Sequence, residues 1–215
     1  MYTTRTFNAT NGTLVIFLAT AAFAAGPSTG PVTIEGGSAS FETTTNVPGI
    51  EVKGTSSSLS GTASVSHDQA GLSVEQIHIV LPVKSLATGM KVRDEHMRKY
   101  IFTTAEGQVP DMEFSADKVA CKTSSAPDDF VCQVTGNLSI RGQARPFATT
   151  LTVKEQSSTF RASGEGLVKL GDYGIPIPKQ FGVSTSNEVK LKLAFAAKLT
   201  TTSGNTQSAS AGGAR

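Results

Sequence analysis

The feature that most limits the fold of this chain is a two-residue rhythm of apolar side chains. Ile77, Ile79 and Leu81 alternate with Gln76, His78 and Val80. Met112 and Phe114 alternate with Asp111, Glu113 and Ser115, and Leu138 and Ile140 with Asn137, Ser139 and Arg141. Phe147, Leu151 and Val153 keep the rule, as do Val189, Leu191 and Leu193 against Lys190 and Lys192. Successive side chains of a strand point to opposite faces, so this period describes antiparallel strands with one dry and one wet face.

Turn signals separate the runs at Val47-Pro48-Gly49, Asp68 to Gly71, Arg141-Gly142-Gln143 and Gly171-Asp172. They predict eight strands, near residues 31–46, 49–66, 72–81, 111–121, 130–141, 145–155, 159–170 and 186–199. Eight antiparallel strands can close into a barrel whose inside holds one slender ligand, and closure removes exposed sheet edges. A two-layer sandwich fits the same pattern. Glycines at 54, 61, 136 and 164 are read as bends or bulges that curve the sheet.

One segment breaks the rhythm. Between Ser85 and Phe102, six charges and a histidine crowd into Lys91 to Lys99. Val92, His96 and Tyr100 recur every fourth residue, with Met97 and Ile101 beside them. Asp94 and Arg98 stand four apart with opposite signs, a favourable helical pair. The segment is read as one short amphipathic helix, entered through Thr88-Gly89 and set between two strands.

Three groups of residues carry a family resemblance. The first is Thr88-Gly89, Arg93-Asp94, His96-Met97-Arg98 and Phe102, followed by Pro110, Met112 and Phe114-Ser115. The second runs from Gly136 to Gly142, then Arg145-Pro146-Phe147, Leu151 and Val153. The third is Asp172-Tyr173-Gly174-Ile175, then Phe181-Gly182-Val183 and Asn187 to Leu191. Together they resemble the YceI-like family of exported bacterial proteins over about residues 38–196. The resemblance implies an all-β, eight-stranded antiparallel lipocalin-like barrel with a long apolar interior. It also implies a polyisoprenoid lipid or isoprenoid-tailed quinone as the bound partner, and no catalysis. The chain departs from the family pattern in three places. It has no His in the first strand after Phe41, no Trp, and no Arg before Asp172-Tyr173-Gly174.

Both ends read as lying outside the domain, which is taken as 30–199. Arg5 is the only charge in the first 34 residues, and an apolar run from Leu14 leads to Ala22-Phe23-Ala24, a small-x-small pattern. This describes a secretory signal peptide over 1–24, since the run is shorter than the roughly 20 residues that span a bilayer. The expected destination is the periplasm or the exterior, after cleavage near Ala24. The stretch from 200 to 215 has neither periodicity nor large apolar residues and is expected to be a disordered tail. An oxidising destination makes Cys121 and Cys132 a disulfide, because a hairpin centred on Ala126-Pro127 sets them opposite one another.

Charge excludes nucleic acid as a partner. Removing residues 1–24 takes one base and no acid, so 19 − 1 = 18 bases face 17 acids with no basic block. No His-x-x-x-His or Cys-x-x-Cys spacing marks a metal, and no phosphate-cradling glycine loop marks a cofactor. His67 reads as a solvated turn residue and His78 as surface or packing.

The residues expected to face the apolar interior are Ile77, Ile79, Leu81, Met112, Phe114, Leu138, Ile140, Phe147, Leu151 and Leu191. By default such a set is a packed core; the resemblance turns it into a lipid-binding lining. Arg93, Asp94, His96 and Tyr173 form the expected polar cluster at the mouth. Arg93 and His96 would either meet a ligand's head group or clamp the helix to its surroundings, and the clamp is preferred. Two rival functions stand beside the carrier. One is a structural or stress module with a filled core. The other is an isoprenoid-modifying enzyme using His96 with Asp94 or Glu95.

Overall fold

The computed structural model describes residues 28–68 and 71–200. The predicted signal peptide and nearly all of the predicted tail lie outside the described residues. Eight long strands form a closed antiparallel barrel: β1 (Thr29–Thr44), β2 (Glu51–Asp68), β3 (Gly71–Leu81), β4 (Met112–Thr123), β5 (Asp129–Ile140), β6 (Gln143–Gln156), β7 (Thr159–Lys169) and β10 (Glu188–Leu199). A two-stranded ribbon, β8 (Lys179–Gln180) and β9 (Val183–Ser184), stands apart from the wall. Each strand of the wall pairs with the next. The seam is β1 against β10, with Val32 opposite Leu199 and Phe41 opposite Leu191. This closure decides between barrel and sandwich.

The two rims differ. Short turns join β2 to β3, β4 to β5 and β6 to β7 at one end, where β1 also begins and β10 ends. At the other end, hereafter the mouth, are the β1–β2 turn (45–50), the β5–β6 turn, residues 82–111 between β3 and β4 and residues 170–187 between β7 and β10. Apolar side chains fill the interior face in two clusters. One, near the short turns, includes Val32, Val65, Phe130 and Phe160; the other, near the mouth, includes Leu59, Leu81, Phe102, Phe147 and Leu170.

The predicted bends need correction. Gly61 and Gly136 border register shifts, but Gly54 and Gly164 sit in unbroken register. The shift in β1 falls at Ile34 to Ala39, where Gly36 has φ +69°. It changes the inward parity from Val32 and Ile34 to Ala39 and Phe41. At Gly54 a Cβ would stand 2.3 Å from the Phe41 ring, and at Gly136 2.6 Å from Phe114 Cζ. These glycines make room for rings lying across the wall's inner surface.

The predicted helix is present and, as read, follows directly on Thr88-Gly89. Val83–Ser85 is a single 3-10 turn, and Ala87 then bridges to Thr55 of β2 in extended conformation. Helix α1 covers Lys91–Met97 and widens into one π-helical turn, Arg98–Phe102. Its buried side carries Asp94, Met97 and Phe102. Val92 and Tyr100 are instead 62% and 56% exposed. The row Val92, His96, Tyr100 therefore does not face a core. The helix lies over an opening, and a row above a hole stays accessible however apolar it is. The predicted Asp94–Arg98 ion pair does not form either, because Asp94 turns to Thr88. Among the described residues no helix is long and apolar enough to cross a membrane.

Candidate functional site: an apolar cavity with a polar latch at its mouth

Inside the barrel lies one continuous cavity of about 1170 Å³. Its walls are the inward-facing side chains of all eight strands, and they are almost wholly apolar. All ten residues expected from sequence to face the interior line it. So do residues the sequence reading did not include, among them Phe41, Val134, Phe160 and Phe195. Strand parity could have found Phe195, which shares the inward phase of Leu191 and Leu193. On β10 the lining runs from Val189 to Ala197, eight residue steps or roughly 27 Å along the strand. The cavity is thus long as well as large. Val189, Leu191, Leu193 and Phe195 are only half-buried although they point inward. An inward apolar side chain with accessible surface faces empty space, so the interior is a cavity and not the filled core of the rival reading.

The short-turn end is pinned covalently. Cys121 and Cys132 pair directly across β4 and β5 and form a disulfide, with their Cα atoms 4.2 Å apart. His67, expected to be solvated, is half-buried there. Its Nδ1 lies 2.6 Å from Glu155 Oε2 and its ring meets Phe130 edge-on.

At the mouth, Thr88 is the hub. Its N–H donates to Asp94 Oδ1 over 2.7 Å, and its hydroxyl donates to the same oxygen. Its carbonyl accepts from Arg93 Nη2 at 2.6 Å. These bonds, the side-chain hydroxyl first, hold the Asp94 carboxyl below the usual carboxylate range against the opposing effect of burial. Gly89, with φ +80°, then lets the chain turn from this latch into α1. The preferred clamp is therefore present in a different form: Arg93 and Asp94 grip a backbone, and no carboxylate pairs with Arg93. Arg93 Nε is buried with no hydrogen-bond partner.

His96 belongs to a different contact. Its Nδ1 lies 3.0 Å from Gln180 Oε1, linking α1 to the β8–β9 ribbon. Arg93 and His96 both line the mouth of the cavity, whereas Asp94 and Glu95 do not. Tyr173, expected beside them, is buried in the mouth-end apolar cluster and lies outside the cavity lining. Burial and the neighbouring Asp172 push its phenol up. The Asn46 side chain fastens the ribbon to the β1–β2 turn, donating to Gly182 O and accepting from Ser184 N–H. Among the described residues, no three His, Cys, Asp or Glu side chains converge as metal ligands.

The same barrel occurs in solved structures. A polyisoprenoid-binding domain from Saccharophagus degradans, implicated in plant cell wall breakdown, superposes with a TM-score of 0.59 at 15% identity, covering 80% of this chain and 99% of that one. Burkholderia cenocepacia BcnA aligns with a TM-score of 0.54 at 18% identity, over 74% of this chain and 96% of that one. The Campylobacter jejuni YceI protein gives 0.54 at 19% identity, over 72% and 89%. No curated protein matches the sequence. The YceI-like domain profile matches residues 32–197, nearly the whole barrel from β1 to the end of β10, and the chain belongs to the YceI-like family.

Proposed function

We propose that this protein is an exported carrier that encloses the chain of one polyisoprenoid lipid or isoprenoid quinone in its barrel. The observation that carries the reading is the continuous apolar cavity of about 1170 Å³. It exceeds the roughly 300–1,000 Å³ typical of small-molecule pockets, and its length suits a chain better than a compact ligand. Each buried CH₂ contributes about 0.8 kcal/mol, so a few isoprene units give stable binding without any polar contact. The S. degradans domain, which shares the fold, is described as polyisoprenoid-binding. Export rests on the N-terminal pattern ending in Ala22-Phe23-Ala24.

The polar end of such a ligand would meet Arg93 and His96. Arg93 has one donor engaged with Thr88 O, and its side chain lines the mouth where a head group would arrive. The enzyme reading has less support, because neither Asp94 nor Glu95 reaches the cavity to work with His96. The test is organic extraction of the purified protein followed by mass spectrometry, together with loading of stripped protein from detergent micelles of an isoprenoid quinone. Near-stoichiometric isoprenoid is expected. A folded, stripped protein that takes up no isoprenoid chain would overturn the reading.

A further inference from the structure

The outer surface of this barrel is apolar in one place. Eight large hydrophobic side chains stand exposed among the described residues, and seven of them lie on the mouth connections. Only Leu167, on the outer wall of β7, lies elsewhere, and none is at the short-turn end. Six of the seven, Ile50, Met90, Val92, Tyr100, Ile177 and Phe181, also line the cavity. The rim is therefore continuous with the lumen: apolar side chains lead from the outside surface to the interior beside the polar Arg93 and His96.

Phe181 is the sharpest case. It is 97% exposed, at the tip of the two-residue turn between β8 and β9. That turn gives Phe181 φ +49° and Gly182 φ +82°. Two-residue hairpin turns of this kind favour Asn or Asp before Gly, since a bulky residue with positive φ is strained. Here the position holds a phenylalanine that gains no packing. Asn46 holds Gly182 and Ser184 after the ring and His96 meets Gln180 before it, so the ring is displayed from a fixed support. Strain kept at an exposed, braced tip points to a contact outside the chain.

Charge narrows the partner. Lys91 separates Met90 from Val92, Lys99 precedes Tyr100, and Lys179 lies between Ile177 and Phe181. Among the described residues none of the three is in an ion pair, although four other lysines, Lys53, Lys118, Lys154 and Lys192, are. Lys99 Nζ instead sits 5.3 Å from the Tyr100 ring centroid. Glu95 is the exposed acid between Lys91 and Lys99; Glu106, Asp111 and Asp172 are exposed elsewhere on the mouth connections. A second copy docked mouth to mouth would set these lysines against their equivalents. A bilayer carrying anionic head groups would neutralise them while its acyl region takes the apolar tips.

We propose that the mouth rim is a membrane-docking surface that seats the barrel mouth-down on anionic phospholipid. A ligand chain could then slide between bilayer and cavity without crossing water. This rests on the carrier reading for its purpose, but not for its test. The chain has no Trp, so Phe181→Trp supplies a single fluorescent reporter. With phosphatidylcholine vesicles containing phosphatidylglycerol, wild type should float with the vesicles and the reporter's emission should shift to the blue. Pure phosphatidylcholine should bind it more weakly. Phe181→Asn suits the positive φ, so it should melt at or above the wild-type temperature, yet bind the anionic vesicles about tenfold more weakly. Lys91→Glu with Lys179→Glu should erase the preference for phosphatidylglycerol. Wild-type protein that stays off the vesicles would overturn the proposal. So would a Phe181→Asn protein that binds unchanged, or a dimer in sedimentation equilibrium whose reporter is already buried without vesicles. Loading of wild type from detergent micelles reads the carrier function separately: vesicle binding without loading would sink the carrier and leave the docking surface.

Discussion

The Phe147 ring lies across Gly166 of the neighbouring strand so closely that a Cβ at Gly166 would sit 2.4 Å from ring Cζ. The clash is with the far end of a side chain that borders empty space. At Gly164, one inward position away on β7, a Cβ would instead meet Thr150 O at 2.3 Å, a backbone atom with nowhere to go. Two alanine substitutions should therefore behave differently. Gly166→Ala should remain folded while its displaced ring intrudes on the cavity, so lipid loading falls more than melting temperature. Gly164→Ala should lose about 1–3 kcal/mol of stability by overpacking. Thermal melts paired with loading from detergent micelles check both.

Adjacent residues on β10 test the lining. Leu191 faces the cavity and Lys190 faces solvent. Leu191→Asp should abolish isoprenoid loading in protein that keeps its β-type circular dichroism. Lys190→Asp, bringing the same side chain one position away, should load like wild type. Equal loading by the two would show that the ligand does not use the barrel interior.

Reduction should weaken the short-turn end. The Cys121–Cys132 bond closes a loop of about 12 residues, worth on the order of 3 kcal/mol in the chain-entropy account. Dithiothreitol, or Cys121→Ala with Cys132→Ala, should lower the melting temperature measurably. Intact mass should differ by two hydrogens between reduced and native protein.

Acid should loosen the mouth through Asp94. Its folded carboxyl titrates below the ordinary value because Thr88 binds the ionised form. The associated stability is fully present above the unfolded value of about 3.9 and disappears as pH falls through the lower folded value. Asp94→Asn should therefore lose less stability than wild type between about pH 4 and pH 2. Thr88→Val removes the hydroxyl donated to Asp94 and should cost about 2 kcal/mol near neutral pH. Urea titrations across pH measure both.

The wall was legible in the sequence because a closed sheet around a dry lumen imposes one rule on every strand. Ile77, Phe114, Leu138 and Leu191 obey that rule and all reach the cavity. What local pattern could not carry was the choice between barrel and sandwich, since both bury one face. That depends on Val32 meeting Leu199 across nearly the whole chain. Nor could it carry the interior's emptiness, because an inward leucine looks the same whether it touches another side chain or a void. The helix face was misread for the same reason: Val92 and Tyr100 keep a core-like spacing above an opening. Spacing offers Arg98 as the partner of Asp94, whereas its actual partner, the Thr88 backbone and hydroxyl, is not another charge. The exposure of Phe181 had no sequence signal at all, since a phenylalanine is ordinarily taken as buried.

The seam between β1 and β10 also decides the order of events during folding. Seven joints link the eight strands in succession along the chain, but the eighth, β1 to β10, waits for the last strand to exist. Until Leu199 reaches Val32, the sheet is an open, curved sheet with two unpaired edges and an apolar face that no second layer covers. Such a joint has high contact order and forms slowly. The unclosed species is also the one most prone to aggregate, because it offers both edge and apolar surface at once. The lumen that gives the folded protein its capacity is thus a hazard until the final strand docks, and a chain shortened before β10 would keep that hazard permanently.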